Sequence, residues 1–334
     1  MYPSGLSAEL TALRRDVEER WPGRPFLIAA LLGGRSVFRW NHGLGRRVTH
    51  STASVAKSLH ASMLGIAVGE GVVGSAEDRI ADYYPQMAEV PPGSGPKSGR
   101  HNTEGDRDIT FRQALSHRSG YLKPDEAPGQ TFHYQTYAVN VAAHALATAY
   151  GYYVPGAVGM GQPTGIGDLV SARIRDPIGA SWTWHYRNFS NLSPEAKLDV
   201  FGNSVHFCTS IDDLLRLGWL WACDGGWFGD QVIPEGWIAD CVGLTRPVPV
   251  ESGIQSDYGC GFWINRGSAL WPDLPERSFA AWGRGGHNVW VAPDIGLVIA
   301  TSPLPMGIDE SDGPETIGER VVPEIVRIVT EWQQ

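Results

Sequence analysis

Strand-like segments occur at both ends of this 334-residue chain, with helical patterns between them. Near the start, the apolar run Phe26–Leu32 and the alternating residues 37–40 flank Gly33-Gly34, which is typical of a β-hairpin. Four further strand-like segments lie in the last third of the chain: 258–265, 279–282, 288–292 and 297–301. We therefore expect an α/β (α+β) fold in which the two ends of the chain build one antiparallel sheet.

The helical patterns lie mainly in the middle of the chain. They cover 53–70, 109–117, 137–150, 169–178 and 211–223, and amphipathic patterns also occupy 1–21 and 315–332. This distribution predicts a discontinuous sheet domain over 1–75 and 235–334, flanked by helices, and a mainly helical domain over 76–234. An active site would then lie in the cleft between the two domains.

A serine and a lysine three residues apart, Ser54 and Lys57, are the best candidates for a reactive pair. Apolar residues around them recur at helical spacing, so the two side chains should share one face at the start of the helix over 53–70. An amine held neutral one turn away could take the serine proton and make the hydroxyl a nucleophile.

The same Ser-x-x-Lys pattern has a simpler explanation, which is an ordinary helix start followed by a solvated lysine. A second copy, Ser94 to Lys97, lies among glycines and prolines that forbid a helix, and we interpret it as a loop coincidence. Other stretches therefore have to decide what Ser54 does.

Two other segments could complete a site. Tyr134 precedes the apolar pattern over 137–150, where a loop could project it into a cleft, although it could equally be a packed aromatic residue. The glycine-rich run Trp282-Gly283-Arg284-Gly285-Gly286-His287 enters a strand-like segment. Glycines there would let a ligand approach the backbone N–H groups, unless the run is simply a turn.

The bulk composition narrows the class of protein. A net charge of -9 argues against nucleic acid or an anionic membrane as the main partner, and 42% hydrophobic residues indicate a globular chain. We expect a cytoplasmic protein because the amphipathic start lacks the long apolar core of a secretory signal. Four widely spaced cysteines and scattered histidines predict reduced thiols, no metal site and no cofactor, with an exported, disulfide-bonded form left open.

Taken in order, these motifs resemble the serine β-lactamase-like family. The matching residues are Ser54-x-x-Lys57, Leu115-Ser116-His117-Arg118-Ser119-Gly120, Tyr134-x-Thr136, and Gly283 to His287 before Val291-x-Pro293. The similarity spans roughly 26–301. The family includes penicillin-binding DD-peptidases, class C β-lactamases and many esterases and amidases. The segment from Pro128 to Tyr137 is most similar to the esterase and 6-aminohexanoate-oligomer hydrolase branches.

The resemblance implies a role for each matching position. Ser54 would be the acylated nucleophile, Lys57 its proton partner, and Tyr134 the base for acylation and the acid for the leaving group. The backbone N–H groups of Ser54 and His287 would form the oxyanion hole. The fold implied is an antiparallel sheet flanked by helices beside an all-helical region.

This sequence departs from the family pattern at two substrate-binding positions. The family's Tyr-x-Asn reads Tyr134-Gln135-Thr136 here, and its Lys-Thr-Gly reads Arg284-Gly285-Gly286. Both missing side chains would help recognise the carboxylate of a β-lactam or a peptide, and the planar fork of Arg284 does not replace the point charge of a lysine. We still expect Thr136, Arg284, Gly285, Gly286 and Trp282 to border the substrate.

The resulting hypothesis is a cofactor-independent serine hydrolase that acts on a small carboxylic ester or amide. Three alternatives stay open: an acyltransferase using the same Ser-Lys-Tyr site, a β-lactamase or DD-peptidase, and a non-catalytic binding protein on the same fold.

Overall fold

A computed structural model describes residues 4–20, 22–45, 48–95, 98–152, 165–187, 204–243, 257–302 and 317–333. Its helices are α1 Ser4–Arg20, α2 Ala56–Gly69, α3 Ile80–Tyr83, α4 Phe111–Leu115, α5 Thr136–Ala149, α6 Ile166–Val170, α7 Ile211–Ala222, α8 Trp237–Gly243 and α9 Ile317–Gln333. Its strands are β1 Phe26–Leu32, β2 Arg35–His42, β3 His50–Ser51, β4 Thr183–Arg187, β5 Ser204–Thr209, β6 Gly226–Trp227, β7 Asp230–Gln231, β8 Trp263–Ile264, β9 Phe279–Gly283, β10 His287–Ala292 and β11 Leu297–Thr301. Lys97, the lysine of the second Ser-x-x-Lys copy, lies outside the described residues.

The largest sheet has six strands in the order β2-β1-β11-β10-β9-β8, and each neighbouring pair is antiparallel. Strands β1 and β11, which come from the two ends of the sequence, are neighbours in this sheet, and Ile28 pairs with Thr301. The prediction of one antiparallel sheet built from both ends of the chain is therefore confirmed.

The two faces of this sheet pack against different helices. One face meets α7 through residues such as Leu27, Val289 and Val298, and the turn 53–55 before α2 contacts β9 and β10. Gly218 lets α7 approach closely, because a side-chain carbon there would lie 2.3 Å from Val298. Alternate residues such as Trp290 point to the other face, which is covered by α1 and α9. Val55, next to Ser54, belongs to the same apolar cluster as the α7 face, so the candidate site lies on that side of the sheet.

A smaller sheet, in the order β3-β5-β4, was not predicted. Ser51 of β3 pairs with Cys208 of β5, and the Thr52 N–H donates to the Phe207 carbonyl over 2.8 Å. Strand β3 has only two residues, too few to give an alternating pattern in the sequence. This sheet anchors the chain immediately before Ser54.

The division of the chain at 75 and 235 stays a prediction. Helix α7 lies inside the segment assigned to the helical domain, yet it packs directly on β1, β10 and β11 of the large sheet. Helices α4, α5 and α6 surround α2 on its other side. Helix α2 is thus covered by the sheet side and by the helical layer, and its buried start carries the candidate site.

Candidate active site

Ser54 occupies a short 3₁₀ turn, Ala53–Val55, that leads without a break into α2. The residue before it, Ala53, has a left-handed backbone with φ of 47°, which is uncommon for a residue with a side chain. Such strain persists only where the surrounding structure holds it in place. The turn leaves Ser54 half-buried and therefore within reach of a small molecule.

Lys57 lies one turn further along, and its side chain is only 5% exposed. Its Nζ donates to Ser54 Oγ over 2.8 Å. Burial lowers the pKa of Lys57 to about 8, because the charged ammonium loses its hydration in this position. The pair therefore has the two properties that proton transfer from serine requires: contact, and an amine that becomes neutral near physiological pH.

Tyr134 lies in the loop before α5, and its ring centroid is 4.8 Å from Lys57 Nζ. Although 38% of the residue is exposed, partial burial raises the pKa of its phenol, and a hydrogen bond with Ser54 acts in the opposite direction. The ring packs against His117, at 4.0 Å between centroids, and against Trp263, at 6.0 Å. The structure thus brings together the three side chains of the predicted Ser-Lys-Tyr set.

The turn between β9 and β10 lies close to the backbone near Ser54. Gly283 pairs with His287, and the turn between them includes Gly285 and Gly286, whose φ angles are 91° and 74°. A side-chain carbon at Gly283 would lie 2.2 Å from the Thr52 carbonyl oxygen, so only glycine fits there. This close approach carries the start of β10 towards the turn that holds Ser54.

The His287 side chain is nearly buried and does not point into open solvent. Its ring stacks on His50 at 5.4 Å, and its Nδ1 lies 3.1 Å from Ser302 Oγ. Burial, and to a lesser extent His50, lower the pKa of His287 to about 4, so the imidazole is neutral at physiological pH. The side chain therefore supplies no positive charge for an oxyanion, and the backbone N–H of His287 stays the predicted donor.

Three of the predicted substrate contacts differ in their surroundings, and their roles stay predictions. Trp282 pairs with Asn288 and packs with Trp271 on the α1/α9 face of the sheet. Arg284 is exposed in the β9–β10 turn, and Thr136 is half-buried as the first residue of α5. The Trp263 ring links Trp282 to Tyr134, with centroids 6.2 Å from Trp282 and 6.0 Å from Tyr134, and a role of Trp282 in binding substrate stays a prediction.

Two aromatic contacts of Tyr134 were not assigned from the sequence. Trp263 of the edge strand β8 lies almost parallel to the Tyr134 ring, with 13° between the planes. His117 follows α4 and lies beneath the same ring. The Leu-Ser-His-Arg-Ser-Gly motif marked His117 in the sequence, but no sequence signal indicated its contact with Tyr134.

Other features of the described residues limit the chemistry. All four cysteines are free thiols, as expected. No three His, Cys, Asp or Glu side chains within the described ranges are grouped as a metal site would require. None of the helices described above has the length and apolar character needed to cross a membrane.

Comparisons with known proteins agree with the geometry. The family model described as Beta-lactamase matches residues 26–302. EstA from Arthrobacter nitroguajacolicus Rue61a superposes with a TM-score of 0.71 at 14% identity, over 100% of this chain and 99% of that one.

Two more solved structures show the same fold. A penicillin-binding protein homolog from Caulobacter crescentus gives a TM-score of 0.70 at 15% identity, over 99% of this chain and 98% of that one. A family VIII carboxylesterase gives 0.69 at 15% identity, over 99% and 98% of the two chains. No curated protein sequence matches this chain. The chain thus has the β-lactamase/transpeptidase-like fold.

Proposed function

This chain belongs to the beta-lactamase family, and on that premise we propose that it is a serine hydrolase forming an acyl-enzyme with a small carboxylic ester or amide. The observation that carries the proposal is the 2.8 Å contact between Lys57 Nζ and Ser54 Oγ. Because the pKa of Lys57 is lowered to about 8, a useful fraction of this amine is neutral at pH 7 to 8.

In the first step, neutral Lys57 accepts the proton of Ser54 while Oγ bonds to the substrate carbonyl carbon. The resulting oxyanion would accept hydrogen bonds from the backbone N–H groups of Ser54 and His287. The raised pKa of Tyr134 keeps its phenol protonated, which favours Lys57 as the base and Tyr134 as the acid.

Collapse of the tetrahedral intermediate releases the alcohol or amine. The bond between the carbonyl carbon and the leaving group breaks, Tyr134 protonates the departing atom, and the proton on Lys57 restores the phenol. Water then attacks the acyl carbon and passes a proton to the same amine. The proton returns to Ser54 Oγ as the carboxylic acid leaves, so the enzyme regains its starting state.

The residues around Ser54, Lys57 and Tyr134 indicate which substrates the site prefers. Thr136 and Arg284 replace the asparagine and lysine that would help bind the carboxylate of a β-lactam or peptide. Beside Tyr134 lies the indole of Trp263, an apolar surface suited to an uncharged ester or amide. We therefore propose an uncharged acyl compound as the preferred substrate over a β-lactam.

The test combines covalent labelling with turnover. The protein is exposed to a fluorophosphonate, and its intact mass is compared with that of Ser54→Ala; short nitrophenyl esters, alkyl amides and a cephalosporin are then offered as substrates. The expected result is one label per chain that is lost in Ser54→Ala, with ester turnover exceeding cephalosporin turnover.

The other outcomes assign the alternatives. Labelling that persists in Ser54→Ala would remove Ser54 as the nucleophile. An absence of labelling and of turnover would favour a binding protein. Faster consumption of ester when an added alcohol or amine is present, with transfer product formed, would favour an acyltransferase.

A further inference from the structure

His117 makes three contacts with three successive residues around Tyr134. Its backbone carbonyl accepts from the His133 N–H over 2.8 Å. Its Nδ1 accepts from the Gln135 N–H over 3.1 Å. Its ring packs against that of Tyr134 at 4.0 Å. One side chain and its carbonyl thus fix the residue before Tyr134, the residue after it and the phenol ring itself.

The backbone of His117 adopts a conformation that serves these contacts. Its φ is 58°, in the left-handed region that residues with side chains rarely enter. Gly120, three residues later, has φ of 61°, and in this turn after α4 the His117 carbonyl and Nδ1 both accept from the loop that holds Tyr134. A strained backbone of this kind costs about 1–3 kcal/mol and persists only where its neighbours determine it.

The contacts also determine the protonation of the ring. Because Nδ1 accepts a hydrogen bond, the proton of the neutral ring is on Nε2. Burial, and secondarily the charge of Lys57, lower the pKa of His117 well below its usual range. A protonated ring would lose the acceptor for Gln135 and place a second cation near Lys57. His117 is therefore a neutral support over the working pH range.

We propose that His117 is a positioning residue that holds the Tyr134 phenol where it can protonate the leaving group. It acts through Tyr134 and does not touch the substrate. The inference rests on the proposed hydrolase function and adds a named role to a residue that could otherwise be an ordinary buried histidine.

Two substitutions separate the ring contact from the hydrogen bond. His117→Phe keeps a ring against Tyr134 but leaves the Gln135 N–H without its acceptor. His117→Asn places a carbonyl oxygen near the position of Nδ1 and serves as the conservative rescue. We expect kcat for an alkyl ester to fall by about ten- to a hundredfold in His117→Phe and by less in His117→Asn.

The matched control is His144→Phe. His144 is 4% exposed, on α5, and its ring lies 6.2 Å from that of Tyr84. This substitution should lower the melting temperature while changing kcat by no more than about twofold. Melting temperatures of all variants show whether lost activity is simply lost folding.

The choice of leaving group separates a positioning role from a structural one. A nitrophenolate leaves without needing a proton, whereas an alkoxide needs one. The ratio of ethyl-ester to nitrophenyl-ester turnover should therefore fall in His117→Phe. When Tyr134→Phe is already present, adding His117→Phe should change turnover by no more than about twofold.

Each outcome decides the proposal. The role of His117 is overturned if His117→Phe leaves the ratio of ethyl-ester to nitrophenyl-ester turnover unchanged. It is also overturned if His117→Phe lowers turnover equally with and without Tyr134→Phe. In either case, Ser54 labelling and wild-type turnover still support the hydrolase. If the wild-type protein neither takes the label nor turns over any ester, the proposed function fails, and the role of His117 fails with it.

Discussion

The lowered pKa of Lys57 makes acylation of Ser54 depend on pH in a range where its buried neighbours do not titrate. Burial lowers that pKa to about 8. If only the neutral amine accepts the serine proton, the rate follows the neutral fraction, about one tenth at pH 7, about half at pH 8 and about nine tenths at pH 9. Raising the pH from 7 to 9 should therefore accelerate acylation about tenfold.

The neighbouring groups do not obscure this rise. Burial and Lys57 lower the pKa of His60 to about 3, and the pKa of His117 is lower than usual for the same reasons. The His60 imidazole therefore stays neutral above pH 6, and the lowered pKa of His117 favours its neutral form. The pKa of Tyr134 is raised, so its phenol keeps its proton through the range over which Lys57 titrates.

The assay is the rate of fluorophosphonate labelling from pH 6 to 10, followed by intact mass, with spontaneous reagent hydrolysis subtracted. Lys57→Arg is the control, because an arginine keeps its charge over the whole range. It should label slowly and without a midpoint near pH 8. A wild-type rate that does not change with pH, or a rise that survives in Lys57→Arg, would refute the assignment of Lys57 as the base.

Three other changes test the packing around the site. Lys57→Met should raise the free energy of unfolding at pH 7 by up to about 3 kcal/mol, because it removes a buried amine whose pKa is lower in the folded state than in the unfolded state. The difference from the wild type should shrink as the pH rises above 8. Denaturant unfolding at several pH values measures it. In Gly283→Ala, the added carbon would lie 2.2 Å from the Thr52 carbonyl oxygen, so the free energy of unfolding should fall by about 1–3 kcal/mol and most labelling should be lost. The control is Gly45→Ala, which has open space around it and should leave the labelling rate and the melting temperature unchanged. Ala53→Gly should relieve a φ of 47° and raise stability by up to about 1 kcal/mol in the same unfolding assay, and a decrease would contradict a strain larger than the entropy cost of glycine.

Much of the sheet and of the Ser54 helix could be predicted because the pattern is local and regular. The apolar run over β1 and the helical spacing after Ser54 each extend over several residues, so their periodicity is visible in the sequence. Strand β3 was missed because its two residues pair with β5, far away in the chain. Strand β3 forms only because it pairs with β5, and no local sequence pattern indicates that pairing.

The same distinction applies to the site. The order of Ser54, Lys57 and Tyr134 in the sequence indicated a shared site, and the structure brings them together. The face on which Trp282 lies depends on its register with Asn288, a tertiary property that glycine-rich spacing does not reveal. The contact of His117 with Tyr134 depends on a positive φ in a residue that could equally have continued α4.

The pairing of β1 with β11 has a consequence for the kinetics of folding. Ile28 finds Thr301 only after nearly the whole chain is available, and long-range pairing of this kind slows folding. Strand β10, which brings His287 towards Ser54, is itself hydrogen-bonded to β11. In a chain whose helical layer has collapsed before this pairing, Lys57 would remain hydrated and charged and Ser54 unreactive. The gain of fluorophosphonate reactivity during refolding would therefore report the closure of the central sheet, which helical circular dichroism does not detect.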